Sequence, residues 1–269
     1  MTADAPANTK ADDSKVMTRM TWQEFRDASP SSLLVLCVGS VEQHGPHMPL
    51  DVDLRIPYGL AQRLCARIPA ILAPPLYYAG HSQPATGGGQ HFPGTTAIRG
   101  QTLLSLIGDI LADLGRQGLH RFLVLNGHFE NTAFIVEAAR EESARSGAKI
   151  LVVDWWELVK PEVLARLFPD GFPGWEVEHA SLTETSLMMY MWPELVHADR
   201  IPHQVGKKHQ PRPVVFPEPH GLVPATGILY TAEGANTSIG EALTNHILEC
   251  LERVVAEEFP DFLPQGQDS

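Results

Sequence analysis

A chain of 269 residues with 43% hydrophobic and 19% charged side chains can bury a large core, which argues against general disorder. Its formal net charge of −12 argues against nucleic acid and anionic membranes as partners, since both reward a basic face. The three scattered cysteines, Cys37, Cys65 and Cys250, form no CxxC pair and read as reduced core thiols of a cytoplasmic protein, and no apolar run approaches the ~20 residues of a membrane span.

Residues 1–15 are polar and carry Asp, so they read as a disordered lead-in and not as a signal peptide. The expected layout is a lead-in over 1–18, one domain over 19–264 and a tail over 265–269. Leu33–Val38 (LLVLCV) is a short continuous apolar run, the mark of a strand buried on both faces. Over 54–68 the period turns helical, with Ile56, Leu60, Leu64 and Ile68 on one face and Pro57 in the first turn. A strand at 71–74 follows, then an amphipathic helix over Gly100–Arg116 built on Leu103, Ile107, Leu111 and Leu114. A third strand at 122–125, a helix over 131–146 and a fourth strand at 150–153 continue the alternation. The stretch 202–224, rich in Pro, Lys and His, reads as a surface excursion, and a closing helix covers about 239–259.

This alternation predicts an α/β domain with a mostly parallel central sheet flanked by helices. Ligands of such sheets sit in the crevice beyond the carboxyl ends of the strands. After the first strand comes Glu42-Gln43-His44, and after the third His128-Phe129-Glu130. In extended backbone, residues two apart project to one side, so each pair can aim both side chains at one point. Mixed His and carboxylate donors suit Zn, Mn or similar divalent metals. Either pair alone is more simply explained as hydrogen-bonded loop residues; two pairs at the ends of one sheet favour a metal site. Asp53, close downstream, is placed either to bridge two metals or to N-cap the following helix.

The glycine-rich segment 86–96 (TGGGQHFPGTT) lacks the ending of a Walker loop and does not match the dinucleotide fingerprint. It reads as a permissive loop near the site, with His91 either supporting that loop or touching substrate. Trp156, after the fourth strand, and Trp175, before the next helix, stand where flat rings stack on a ligand or fill the core. His179 has the pKa for acid–base work near neutrality, and Glu184 and Thr185 follow where they can orient it.

At these residues the chain resembles the creatininase family. The segments VGSVEQHGPHMPLDVD, SQPATGGGQHFPGTT, LNGHFENTAFIVE, GFPGWEVEH and TETSLMMYMWPELV stand in the family's order between about Thr21 and Phe259. HFEN together with GWEVEH narrows the likeness to the creatinine-hydrolysing members. The resemblance implies a creatininase-like α/β sandwich and a metal-dependent amidohydrolase that reversibly opens the cyclic amide of creatinine to creatine. It implies two divalent ions per subunit, Zn with Mn or two Zn: Glu42 and His128 on one, His44 and Glu130 on the second, Asp53 bridging. It makes His179 and Glu130 catalytic and sets Ser82, Phe129, Trp156, Trp175 and Glu178 against the substrate. A small-molecule substrate and a homo-oligomer, a hexamer, are further implications. Phe129 stands where the creatinine-cleaving members carry a tyrosine, and Asp51 where they carry a neutral amide. These departures keep open a family amidohydrolase for a different cyclic amide or a formamide. A non-catalytic metal-binding homologue fits less well, since a metal holder needs neither His179 nor the tryptophans.

Overall fold

The apolar run at Leu33–Val38 forms strand β1, and all of its residues are buried, as a strand covered on both faces requires. The structure is a computed structural model that describes residues 13–83, 85–217, 219 and 221–260. With β2 (Ala70–Leu72), β3 (Arg121–Asn126) and β4 (Lys149–Asp154), β1 builds one sheet in the order β2-β1-β3-β4, every neighbouring pair parallel. The helices among the described residues are α1 (Trp22–Ala28), α2 (Val52–Arg67), α3 (Gly100–Arg116), α4 (Thr132–Ser146), α5 (Pro161–Leu167), α6 (Leu182–Met191) and α7 (Thr237–Glu258).

The strand period of two divides the core. Leu33, Val35 and Cys37 join Leu123 and Leu125 of β3 on one face, under α2, α6 and α7. Leu34, Leu36 and Val38 join Phe122 and Val124 on the other, under α3 and α4. The result is the predicted α/β sandwich, with parallel strands whose carboxyl ends share one edge.

Several details depart from the sequence pattern. Helices α1 and α5 are seven residues each, too short for apolar periodicity to reveal; α1 declares itself only through its Thr21–Glu24 capping box. Helix α2 begins at Val52, so Pro57 lies inside it and not in its first turn. Residues 13–18, expected within a disordered lead-in, are folded onto the sheet edge. Val16 bridges to Leu72, and Lys15 Nζ donates to the Cys65 and Ile68 carbonyls at 2.6 and 3.0 Å, at the end of α2. The rest of that lead-in, 1–12, and the tail, 265–269, lie outside the described residues. The excursion over 202–224 carries no helix or strand among its described residues and exposes Val205, Val214, Val215 and Phe216. No described helix is long and apolar enough to cross a membrane.

Two glycines decide what happens at the sheet's carboxyl edge. Pro57 has no N–H to give the Asp53 carbonyl, and Gly127 packs there instead: a Cβ at Gly127 would stand 1.8 Å from Asp53 O. A Cβ at Gly39 would stand 2.5 Å from the Leu54 backbone. Side-chain-free residues after β1 and β3 therefore let both turns lie directly on the start of α2.

Candidate metal centre

Because those turns share one support, their polar side chains converge on Asp53. Glu42, His44, Asp53 and His128 are all buried. Asp53 lies between the two histidines, with Oδ1 3.0 Å from His44 Nε2 and Oδ2 3.0 Å from His128 Nδ1. His128 Nδ1 also stands 3.1 Å from Glu42 Oε2, and its Nε2 lies 3.1 Å from Glu130 Oε2. The N-cap alternative for Asp53 is overturned. Asp51 takes the N-cap position without a side-chain cap, and the Asp53 carboxylate turns away from its own helix toward the imidazoles.

Each of these five residues leaves one buried side-chain atom without a hydrogen-bond partner among the described residues. They are Glu42 Oε2, His44 Nε2, Asp53 Oδ2, His128 Nε2 and Glu130 Oε2. An unsatisfied buried polar atom costs about 1–3 kcal/mol, and an unpaired buried charge costs more. Five such atoms linked through Asp53 and His128 fit divalent cations, and their oxygen and imidazole chemistry fits Zn or Mn. Donor atoms of Glu42, Asp53 and His128 lie within 4.8 Å of one another, as do those of His44, His179 and Glu184. Glu130 belongs to neither set and stands at the margin, against His128.

The surrounding loops hold the donors in place. His44 Nδ1 lies 3.1 Å from the Glu42 carbonyl, which can only accept, so Nδ1 carries a proton and Nε2 is the nitrogen that would bind an ion. Ser82 Oγ donates to Glu42 Oε1 at 2.5 Å, and Gly88 N–H donates to the same oxygen. Glu130 Oε1 accepts from Gln83 N–H at 3.0 Å and from the Thr86 hydroxyl at 2.5 Å. The glycine-rich loop thus clamps two carboxylates. His91 is exposed and packs on Phe92, with ring centroids 4.4 Å apart, outside the pocket lining. The Ser82 hydroxyl, expected on the substrate side, is committed to Glu42.

Burial opposes charge throughout this cluster, and neighbours decide the outcome. Burial works against a charged His44, yet Asp53 and Glu184 outweigh it and raise the imidazole to about 10. Burial lowers His179 to about 4 against the pull of Glu42. Burial lifts Glu178 to about 8, although Thr183 donates to its carboxyl. A carboxyl with a folded pKa near 8 keeps a proton that the unfolded chain has released above about 4.5. Stability from this group therefore falls as pH rises from about 4.5 to 8. Glu178→Gln is expected to remove that slope and to raise unfolding free energy at pH 8 by roughly 3 kcal/mol. Urea denaturation at pH 5 and pH 8 measures it, and an unchanged slope would show that Glu178 is ionised.

Glu42, Asp53 and His128 line a pocket whose other wall is aromatic. Phe129 stacks on Trp156 with centroids 5.7 Å apart and planes 16° apart. Trp155 meets Trp156 edge-on at 5.9 Å, and Trp175 meets Trp155 at 5.8 Å. Trp156 and Trp175 therefore both line the pocket as expected, with Trp155 wedged between them as an unforeseen third ring. Glu178 and His179 line it too. Asp51 does not: it pairs with Arg55 Nε at 2.7 Å, so its departure from the family pattern falls outside the pocket lining. Gln43 is the functional neighbour that sequence reading passed over. Its backbone oxygen lies 2.8 Å from His179 Nε2, and its side chain donates to Gly227 O at 2.8 Å.

A parallel sheet with buried His and carboxylate donors at its carboxyl edge, opening on an aromatic pocket, is the build of a metal-dependent hydrolase. The family model Creatininase, described as creatinine amidohydrolase, matches residues 18–255, and the chain belongs to that family. It is 39% identical over 250 residues to the creatinine amidohydrolase of Pseudomonas putida, covering 90% of this chain and 96% of that protein. It is 29% identical over 266 residues to a mycofactocin precursor peptide peptidase of Mycobacterium tuberculosis, covering 91% and 92%. Among solved structures, a mutant creatininase of Zn–Zn type superposes with a TM-score of 0.87 at 36% identity, covering 94% of this chain and 100% of that one. A structure titled Creatininase Mn superposes with a TM-score of 0.85 at 38% identity, covering 91% and 99%.

Proposed function

We propose that this chain is a two-metal creatinine amidohydrolase that reversibly opens creatinine to creatine. The observation that carries the reading is the set of unpartnered donor atoms, one from each of Glu42, His44, Asp53, His128 and Glu130, of which Glu42, Asp53 and His128 line an aromatic pocket. The likeness to the Pseudomonas putida enzyme supplies the substrate. In this reading Glu42 and His128 hold one ion, His44 and Glu130 the second, and Asp53 serves both. Zn with Mn, or two Zn, suits the donors, in keeping with the Zn–Zn and Mn forms of the solved relatives. Divalent ions so held supply Lewis acidity for a carbonyl and lower the pKa of water near it.

The chain's own residues do the rest. Trp156 and Trp175 receive the flat ring of the substrate. Glu178, uncharged at neutral pH, offers a hydrogen-bond donor to it. His179 Nε2 lies 2.8 Å from the Gln43 carbonyl oxygen and 3.1 Å from the Gln43 side-chain nitrogen, contacts that hold the ring in place. The neutral His179 imidazole takes the proton of the attacking water and returns it to the ring nitrogen as the C–N bond breaks. Ser82 and Thr86 keep the Glu42 and Glu130 carboxylates from swinging. A homo-oligomer, a hexamer, is part of the proposal and is supported by the exposed apolar side chains of the 202–224 excursion. A cytoplasmic location is supported by three buried free thiols.

Phe129 favours a second reading, a different cyclic amide or a formamide. Its ring lines the pocket beside Glu130 and offers no hydroxyl there. Assay of the purified protein on creatinine, hydantoins and formylamino compounds, with metal content measured on the same sample, separates the two. Creatine formation is the expected result. Cleavage of another member of the panel with creatinine left intact would transfer the assignment to the second reading.

A further inference from the structure

Ala180 is the only non-glycine residue with positive φ among the described residues, at 55°, and it directly follows His179. A side chain in the left-handed region costs conformational energy that glycine avoids, so something must hold the turn. Ala180 N–H donates to Glu184 Oε2 at 2.6 Å, and Glu184 is buried. The turn is fastened on both sides of that bond. Thr183 N–H donates to Glu178 Oε2 at 2.9 Å, and the His179 carbonyl accepts from the Ser181 hydroxyl at 3.1 Å and Leu229 N–H at 3.2 Å. The Glu184 carboxyl also reaches the cluster, with Oε2 3.7 Å from His44 Nε2. The His44 and His179 rings stand 4.3 Å apart.

We propose that Glu184 is a positioning residue: by accepting the Ala180 N–H it holds the left-handed turn that aims the His179 imidazole and the Glu178 carboxyl into one pocket. The chain direction at Ala180 is set by that one φ. If Ala180 relaxes to negative φ, the start of α6 and the His179 ring cannot both keep their places, and the bond from His179 Nε2 to Gln43 O is lost. Alanine with the Glu184 clamp is stiffer than glycine without it, since glycine would reach this conformation among many others. The turn is thus held in one arrangement before substrate arrives.

The test compares E184Q, E184A and the double variant A180G/E184A by crystal structure, metal content, kcat and KM. The amide oxygen of E184Q still accepts the Ala180 N–H, so Ala180 stays left-handed, His179 keeps its contact with Gln43 O, and kcat falls far less than in E184A. In E184A, Ala180 leaves the left-handed region and His179 leaves Gln43 O. There kcat falls about 100-fold, the scale expected of a misplaced catalytic group, while KM and metal content hold. Adding A180G restores the turn and most of the lost kcat. An E184A structure with Ala180 and His179 unmoved overturns the proposal, and so does loss of metal in E184Q, which would make Glu184 a ligand. Should E184A fail to fold, a folded, active A180G/E184A still supports the clamp, and a displaced His179 in E184Q still sinks it. The kinetic arm rests on the proposed creatinine reading; the structural and metal arms do not, so absence of creatinine turnover in the unaltered protein would count against that reading alone.

Discussion

Dialysis against a strong chelator is expected to abolish hydrolysis, and added Zn or Mn to restore it. The cluster holds Glu42, Asp53, Glu130 and Glu184 around His44 and His128. Four buried carboxyls crowded at one centre disfavour a developing oxyanion unless cations offset them. Divalent ions are worth several kcal/mol at such a centre, which corresponds to a loss on the order of 1,000-fold or more. Stripping is also expected to leave a pH signature in stability. Burial opposes the charge on His44, but Asp53 and Glu184 raise it to about 10 in the metal-free cluster, against an ordinary 6.5. That contribution is complete below about pH 6.5 and is lost as pH rises toward 10. The stripped protein should therefore lose thermal stability between pH 7 and 10 more steeply than the loaded protein. Full turnover by a sample shown by elemental analysis to be free of metal would overturn the metal reading altogether.

How much of this was legible in the sequence follows from the range of each interaction. The bounds of β1 and α3 were readable because a continuous apolar run and a 3.6-residue stripe are local signals. The Glu42–His44 and His128–Glu130 pairs were readable because strand ends of a parallel sheet share one edge. The support beneath them was not. Gly39 and Gly127 look like ordinary loop glycines until α2 is seen lying against them. The Ser82–Glu42 and Thr86–Glu130 bonds join residues 40 and 44 positions apart, which no spacing rule reaches. Asp53 shows the same limit from another side. Its position near a helix start suggested a cap, and only the two imidazoles facing its two oxygens distinguish that role from a bridging one. The family likeness supplied the bridge, and the geometry is compatible with it.

Replacement of His179 by alanine is expected to lower kcat by about 100- to 10,000-fold, the range general acid–base groups contribute. KM should change little, because the aromatic wall and the five donors stay in place. Metal content decides between two roles. None of the unpartnered donor atoms belongs to His179, and its Nε2 is committed to the Gln43 carbonyl at 2.8 Å. Yet a His179 donor atom also lies within 4.8 Å of those of His44 and Glu184. Retained metal with lost turnover identifies a proton carrier; lost metal identifies a ligand. The pH profile adds a second mark. Burial holds His179 near 4 against the pull of Glu42, so the imidazole is neutral and able to accept a proton across the neutral range. On the acid side, activity of the unaltered protein should fall as this ring is protonated, and His179→Ala should lose that acid limb. Imidazole added to the variant should recover part of the rate by occupying the space the ring left. An unaltered rate in the variant would remove His179 from the reaction. The proton would then have to reach the leaving nitrogen from a pocket carboxyl that burial keeps protonated, Glu178 near 8 or Glu184 near 7.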